Sequence, residues 1–241
     1  MNPPPPTGPL EIYLLGLVDF DEIQQVQRRL VYGLGEGDQG AGGALILCEH
    51  PPTISVGRSG SRAHIRLDDE GLRSRGVAVR WVNRGGGCVL HLPGQLVGYL
   101  AFPLLRAGLD LKRYLDALHR VLVGSLAEFD LVGSTRPDRS GVYLGPTRVA
   151  SVGVAVNRWI AYHGFTLNVS TFLEPFGMLD EPDSQASMES RRQRPAPMAK
   201  VRETVIRRVE EEFGLERHHL YTTHPLIRRK AATHAYAPSL G

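Results

Sequence analysis

Apolar residues along this chain fall in short blocks separated by glycine, proline and charged positions, and the spacing inside each block predicts its secondary structure. EIYLLGLV (11–18) is an apolar run of strand length and reads as a buried strand. DFDEIQQVQRRLVYGL (19–34) puts Ile23, Val26, Leu30 and Val31 on one helical face. GALILCEHPPTISVGR (43–58) predicts a strand, a proline-marked corner and a second short strand. VAVRWV (77–82) alternates apolar and other residues as a half-buried strand does, and LVGYLAFPLL (96–105) is a further strand. LKRYLDALHRVLVGSLAEF (111–129) has the clearest helical stripe: Leu111, Tyr114, Leu115, Leu118, Val121 and Leu122. GVYLG, TRVASVGVAVN and YHGFTLNV, between 141 and 169, predict a three-stranded meander. Residues 180–197 are polar and proline-rich and read as a loop, and AKVRETVIRRVEEEF (199–213) returns to helical spacing.

Strands come in runs with helices between only some of them, which is the α+β class rather than a strict alternation. The expected organisation is a proline-rich, disordered lead over 1–9, one domain over 10–214, and a tail over 215–241 with little pattern. No internal repeat is present.

Composition changes this picture little. At 241 residues the chain is long enough to bury a substantial core, and 42% hydrophobic against 22% charged is ordinary for a globular protein. The net charge of +3 gathers late, in RRQR (191–194), RR (207–208) and RRK (228–230). That run suits loop surface or an acidic protein partner; it comes with no aromatic-plus-basic motif, so nucleic acid is not expected. Two cysteines, Cys48 and Cys88, fit a reducing compartment better than a disulfide framework. No apolar run approaches a membrane span, and MNPPPPTGP lacks the pattern of a signal peptide. The expectation is a cytoplasmic monomer with no membrane contact.

The candidate chemistry begins at RGGGCVLHLPGQLVGY (84–99). Three consecutive glycines expose more backbone than a turn needs, as when a ligand must come close to the main chain. This segment, together with EHPPTISVGR (49–58) and VASVGVAVNRWIAYHGFTLNV (149–169), resembles the octanoyltransferase family of lipoate biosynthesis, in the family's order, from about Leu14 to Phe176. In the middle motif Arg84, Gly85, Gly86, His91, Pro93, Gly94 and Gln95 match, whereas Val89 replaces a Thr and Leu92 a common Gly. The glycine run also echoes lipoate–protein ligases; the HGxxLNV segment, His163 to Val169, favours the transferases.

The resemblance implies an α+β fold shared with biotin and lipoate protein ligases, a mixed β-sheet with helices packed on one side. It implies transfer of an octanoyl group from acyl carrier protein to a lysine of a lipoyl domain, with no cofactor and no metal. It places the acyl pocket at Arg84, Gly85, Gly86, Gly87, Cys88, Val89, Leu90 and His91, at Ser151, Val152 and Gly153, and at Gly164, Phe165 and Thr166. In the family a Cys carries the acyl chain as a thioester and a neighbouring Lys assists it. Here the Lys position, just before VASVG, is Arg148. The Cys position is Asp183, or Pro182 on ungapped counting, and no Cys follows Cys88.

Arg148 can supply positive charge but not shuttle a proton. Asp183 attacking a thioester would form an anhydride, and Ser184 or Ser187 would need an adjacent base, for which His163 is the candidate. Cys88 is either a relocated nucleophile or a small apolar side chain on a buried strand, the second being the commoner role of a free cysteine; Cys48 reads as core, and His119 as a structural helix residue. Three readings stay open: a transferase in which the acceptor lysine attacks the thioester directly, a non-catalytic member that binds acyl chains, acyl carrier protein or lipoyl domains, and a relative of the ATP-using lipoate ligases.

Overall fold

The computed structural model describes residues 8–35 and 41–227. In chain order the elements are β1 (Leu10–Leu17), α1 (Phe20–Gly35), β2 (Gly43–Glu49), β3 (Thr53–Val56), α2 (Asp69–Ser74), β4 (Ala78–Trp81), β5 (Cys88–His91), β6 (Gln95–Pro103), α3 (Leu111–Ala127), β7 (Ser134–Arg136), β8 (Arg139–Leu144), β9 (Thr147–Asn157), β10 (Ile160–Asn168), α4 (Met188–Arg192), α5 (Met198–Phe213) and β11 (His218–Tyr221). Eight strands form one sheet in the order β11-β1-β2-β6-β10-β9-β8-β7, and β4-β3-β5 form a second. β1 runs parallel to β2 and β11, while β2, β6, β10, β9, β8 and β7 pair antiparallel in turn. The mixed sheet and the α+β class are as expected.

The helices do not all lie on one side, which corrects that expectation. β6 is buried along its whole length, and its side chains alternate between two cores. Leu96, Leu100 and Phe102 face a cluster built with α3 and α5, whereas Val97, Tyr99 and Ala101 face one built with Ile23, Val26 and Val31 of α1. The apolar stripe of α1 specifies that the helix packs but not on which face. Asp19 starts this helix, accepting from the Asp21 amide at 2.9 Å. Asp110 does the same for α3, accepting from Arg113 at 2.7 Å, and Gly214 ends α5 in a left-handed conformation with φ 65°.

Two further expectations are corrected. Residues 218–221, placed in a patternless tail, pair with β1 at the sheet edge. The 180–197 loop contains α4, begun by a capping box between Ser187 and Ser190. The proline-rich lead falls outside the described residues except for residues 8 and 9. The last stretch of the tail, 228–241, lies outside them too.

Candidate active site

Strand register lays out the floor of a cleft on the α1 face of the large sheet. Tyr99 of β6 lies beside Gly164 of β10, and Gly164 beside Gly153 of β9. One row along, Val97, Thr166, Ser151 and Gly141 line up across β6, β10, β9 and β8. Gly164 and Gly153 in the first row, and Ser151 and Gly141 in the second, leave a trough beside the bulkier Tyr99 and Val97. Gly164 is required there: a Cβ would sit 2.3 Å from the Gly98 carbonyl oxygen. From β6 to β8 the trough crosses three inter-strand steps, about 14 Å.

The glycine loop and the small sheet form the roof. The loop is stitched on both sides: Gly85 donates to the Val154 carbonyl at 2.9 Å, while Gly57, Arg58 and Ser59 donate to the carbonyls of Gly87, Arg84 and Gly86 at 3.0, 3.0 and 3.1 Å. A Cβ on Gly57 would lie 2.4 Å from the Gly86 oxygen, and Gly86 itself has φ 83°. Arg84 is the internal brace. Its buried guanidinium donates to the Ser55 carbonyl at 2.7 Å, the Ser55 hydroxyl at 2.8 Å and the Gly85 carbonyl at 3.0 Å. Burial lowers its pKa to about 10. The cleft, open on one side, holds about 350 Å³, a size suited to a small ligand or an acyl chain.

The β6 end is closed by an aromatic and imidazole cluster. Phe20 packs on His50 and His91 at ring distances of 5.1 and 5.3 Å. His50 donates from Nδ1 to the Val18 carbonyl at 2.7 Å, so Nε2 accepts from the Tyr99 hydroxyl at 2.8 Å. The Ser55 hydroxyl, already accepting from Arg84, donates to His91 Nε2 at 2.8 Å. His163 Nε2 faces Asn83 Oδ1 at 3.2 Å; the Asn83 amide nitrogen donates to Tyr162, so the imidazole must be the donor. Burial, the largest cause, lowers His50 to about 4, His163 to about 3, and His91 well below its usual value; Arg84 adds to the shift at His91 and His163. All three are neutral at pH 7.

The β8 end is charged. The Asp183 carboxylate, 4% exposed, accepts from Arg139 at 2.5 Å and from the buried Tyr143 hydroxyl at 2.9 Å. The Arg148 guanidinium reaches Glu181 at 2.6 Å and Asp183 at 3.6 Å. Arg136 lies 3.8 Å from the same carboxylate and stacks on the Tyr143 ring at 4.1 Å. Backbone bonds hold the loop in place: Arg148 donates to the Ser184 carbonyl at 2.9 Å, Ala186 to that of Arg148 at 2.8 Å, and Asp180 to that of His64 at 2.8 Å. Burial and the Asp183 hydrogen bond raise the Tyr143 pKa, and Asp183 raises that of Arg139.

Of the residues expected at the pocket, Arg84, Gly86, Gly87, Cys88, Val89, His91, Ser151, Val152, Gly153, Gly164, Phe165 and Thr166 line this one cleft, with Arg148, Pro182 and Asp183 at its far end. Two do not: Gly85 is turned to β9, and Leu90, fully buried, points into the core of the small sheet. Alternation along β5 explains the second, since neighbours on a strand face opposite ways. Phe20, Ser55, Val97, Tyr99, Arg139, Ser140 and Glu181 also line it, and none of the seven was among the expected pocket residues. Ser55, Val97 and Tyr99 sit inside the segments that carry the resemblance, whereas Phe20, Arg139, Ser140 and Glu181 lie outside them.

The chemistry open to this arrangement is narrow. Cys88 is 2% exposed, packs in the small-sheet core and donates to the Ser61 carbonyl at 3.6 Å; burial raises its pKa, which disfavours the thiolate. Ser187 is used as the α4 cap, accepting from Ser190 at 3.1 Å, and Ser184 is exposed. Among the described residues no group of three or more His, Cys, Asp or Glu is placed to hold a metal ion.

Comparison with known proteins places this geometry in context. Residues 21–213 match the family described as lipoyl protein ligase A/B catalytic domain. The chain is similar to the octanoyltransferase of Geotalea uraniireducens, 41% identical over 167 residues, covering 69% of this chain and 74% of that protein. It is 37% identical over 198 residues to the octanoyltransferase of Geobacter metallireducens, covering 80% and 89%. Among solved structures it is similar in fold to lipoate-protein ligase A bound with ATP, with a TM-score of 0.67 at 15% identity over 91% of this chain and 90% of that one. A bi-partite lipoate protein ligase from Thermoplasma acidophilum, described with its E2 lipoyl domain, aligns with a TM-score of 0.69 at 17% identity over 89% and 88%.

Proposed function

The chain belongs to the lipoyl protein ligase A/B catalytic-domain family, and on that premise we propose that its cleft binds the octanoyl group carried as a thioester by acyl carrier protein, and presents it to a lipoyl domain, without forming a covalent acyl-enzyme. Relatives at 37–41% identity are named octanoyltransferases, which supports the acyl group. A cytoplasmic location and a monomeric state belong to the same reading. Among the described residues no helix is long and apolar enough to cross a membrane.

One observation carries the absence of an acyl-enzyme: Asp183, which the resemblance aligns with the nucleophile once one inserted residue is allowed, has both carboxylate oxygens engaged, by Arg139 and by Tyr143. A thiolate there would attack the thioester; a carboxylate so held is a structural anion. Arg148 carries a permanent charge and cannot relay the proton that a lysine would. Any transfer to a lipoyl lysine then runs by direct attack of its amine on the thioester carbonyl. The C–N bond forms, the C–S bond breaks, and the carrier thiolate takes up the amine's proton. Positioning of the two reactants is the protein's contribution to that step.

The test uses purified protein, octanoyl-acyl carrier protein and a lipoyl domain. Calorimetry is expected to show saturable binding of the octanoylated carrier, and intact mass no adduct on this chain. An octanoyl adduct that disappears with Cys88→Ser would overturn the reading and establish a relocated nucleophile. An octanoylated lipoyl domain without any adduct would select direct attack over binding alone.

A further inference from the structure

We infer that Phe20 sets the longest acyl chain the cleft accepts. The inference rests on the acyl-binding reading above and adds the residue that decides chain length. The trough has two unlike ends. At β8 it meets Arg139, Arg148, Glu181 and Asp183, which suit the polar thioester and its carrier. At β6 it meets Phe20, His91, Val97 and Tyr99, which are all buried. A chain with its carbonyl at the charged end therefore runs across β9 and β10 and ends against the β6 group.

Within that group the side chains differ in what else they do. Tyr99 and His91 are tied by hydrogen bonds to His50 and Ser55, and Val97 packs in the α1 core. Phe20 is 4% exposed yet belongs to none of the three apolar clusters. Its ring lies on two imidazoles and the cleft. A buried phenyl ring outside the cores acts as a plug. Removing it lengthens the cleft while leaving the three apolar cores and the hydrogen-bonded network in place. Position 20 opens α1 behind the Asp19 cap, and alanine is a strong helix former there.

The test measures binding of S-acyl pantetheine thioesters from hexanoyl to tetradecanoyl, by calorimetry, to the wild-type protein and to Phe20→Ala, Phe20→Leu and Phe20→Trp. Each methylene that enters the cleft is expected to tighten binding about fourfold, corresponding to ~0.8 kcal/mol per buried CH₂. In the wild type the gain stops where the chain meets Phe20. In Phe20→Ala it continues for about two further methylenes or more, Phe20→Leu falls between, and Phe20→Trp stops earlier. Thermal melts identify any variant that fails to fold, and the remaining substitutions still give the order. If the wild type binds no thioester in the series, the acyl-binding reading fails. If it binds octanoyl but all folded variants keep the wild-type length profile, the assignment to Phe20 alone is overturned.

Discussion

The hydroxyl of Tyr143 donates to Asp183 at 2.9 Å, joining the end of β8 to the loop that follows β10. Tyr143 is fully buried, and Arg136 covers its ring. With Arg139 on the other oxygen, three side chains from the β7–β8 hairpin converge on one carboxylate. The neighbours of Asp183 are thus suited to an anion, and Arg148 joins the same group, reaching Glu181 at 2.6 Å and Asp183 at 3.6 Å.

Removing that anion has a cost. Asp183→Ala leaves the Tyr143 hydroxyl buried without an acceptor and returns Arg139, about one-third exposed, to solvent. The expected loss is about 2 kcal/mol, since the charged hydrogen bonds are only partly screened. Urea unfolding with an unchanged m-value checks it; a midpoint equal to the wild type would show that the cluster contributes no stability.

The same cluster makes a defined gain of function testable. In Asp183→Cys with Arg148→Lys, the new thiol would sit among Arg136, Arg139 and Lys at 148, cations that favour the thiolate. The double variant is expected to acquire an octanoyl thioester from octanoyl-acyl carrier protein, seen by intact mass and removed by hydroxylamine. No adduct in a folded double variant would mean that the cleft has diverged beyond these two positions.

How far the sequence revealed this site depends on the residue. The glycine loop, the HGFTLNV strand and position 148 are contiguous signals, and the strands that carry them follow from apolar spacing, whereas counting along the sequence leaves Pro182 and Asp183 both open. Arg139 is different: in STRPDRSG nothing local says that a hairpin will bring it to a carboxylate 44 residues on. β11 is exposed at all four positions and is held by backbone pairing to β1, so HHLY carries no apolar face to read. The side of the sheet on which α1 packs is fixed by alternation along β6, a strand 60 residues later, and not by the helix stripe.

Acid should weaken the fold through the histidines. His50 and His163 are held neutral by burial, with folded values of about 4 and about 3, below the ordinary value of 6.5. The unfolded chain therefore binds more protons as pH falls below about 6.5, and stability is lost from there down toward the folded values. Each histidine contributes a slope of up to about 1.4 kcal/mol per pH unit. Denaturant midpoints between pH 7.5 and 4.5 are the measurement. His50→Gln should flatten the slope by one histidine's share, and an identical slope in that variant would place the protons elsewhere.

Gly57 gives the sharpest steric test of the roof. A Cβ at this position would lie 2.4 Å from the Gly86 oxygen, 2.7 Å from an Arg84 guanidinium nitrogen and 3.0 Å from the Arg84 oxygen. Two of these contacts are backbone, and Arg84 is itself pinned to Ser55, so no flexible side-chain end is free to yield. Gly57→Ala must therefore move the glycine loop, lengthening the bonds from Gly57, Arg58 and Ser59 to its carbonyls. Overpacking of this kind costs about 1–3 kcal/mol. The expected signature is faster amide hydrogen exchange at residues 57–59 and 85, with the α3 and α5 amides unchanged, and weaker binding of octanoyl-acyl carrier protein. Gly76→Ala, at a left-handed turn with φ 63° outside the cleft, is the control for strain alone: it should lower stability without altering binding. Equal loss of binding in both variants would show that the roof senses global stability and not the position of the glycine loop.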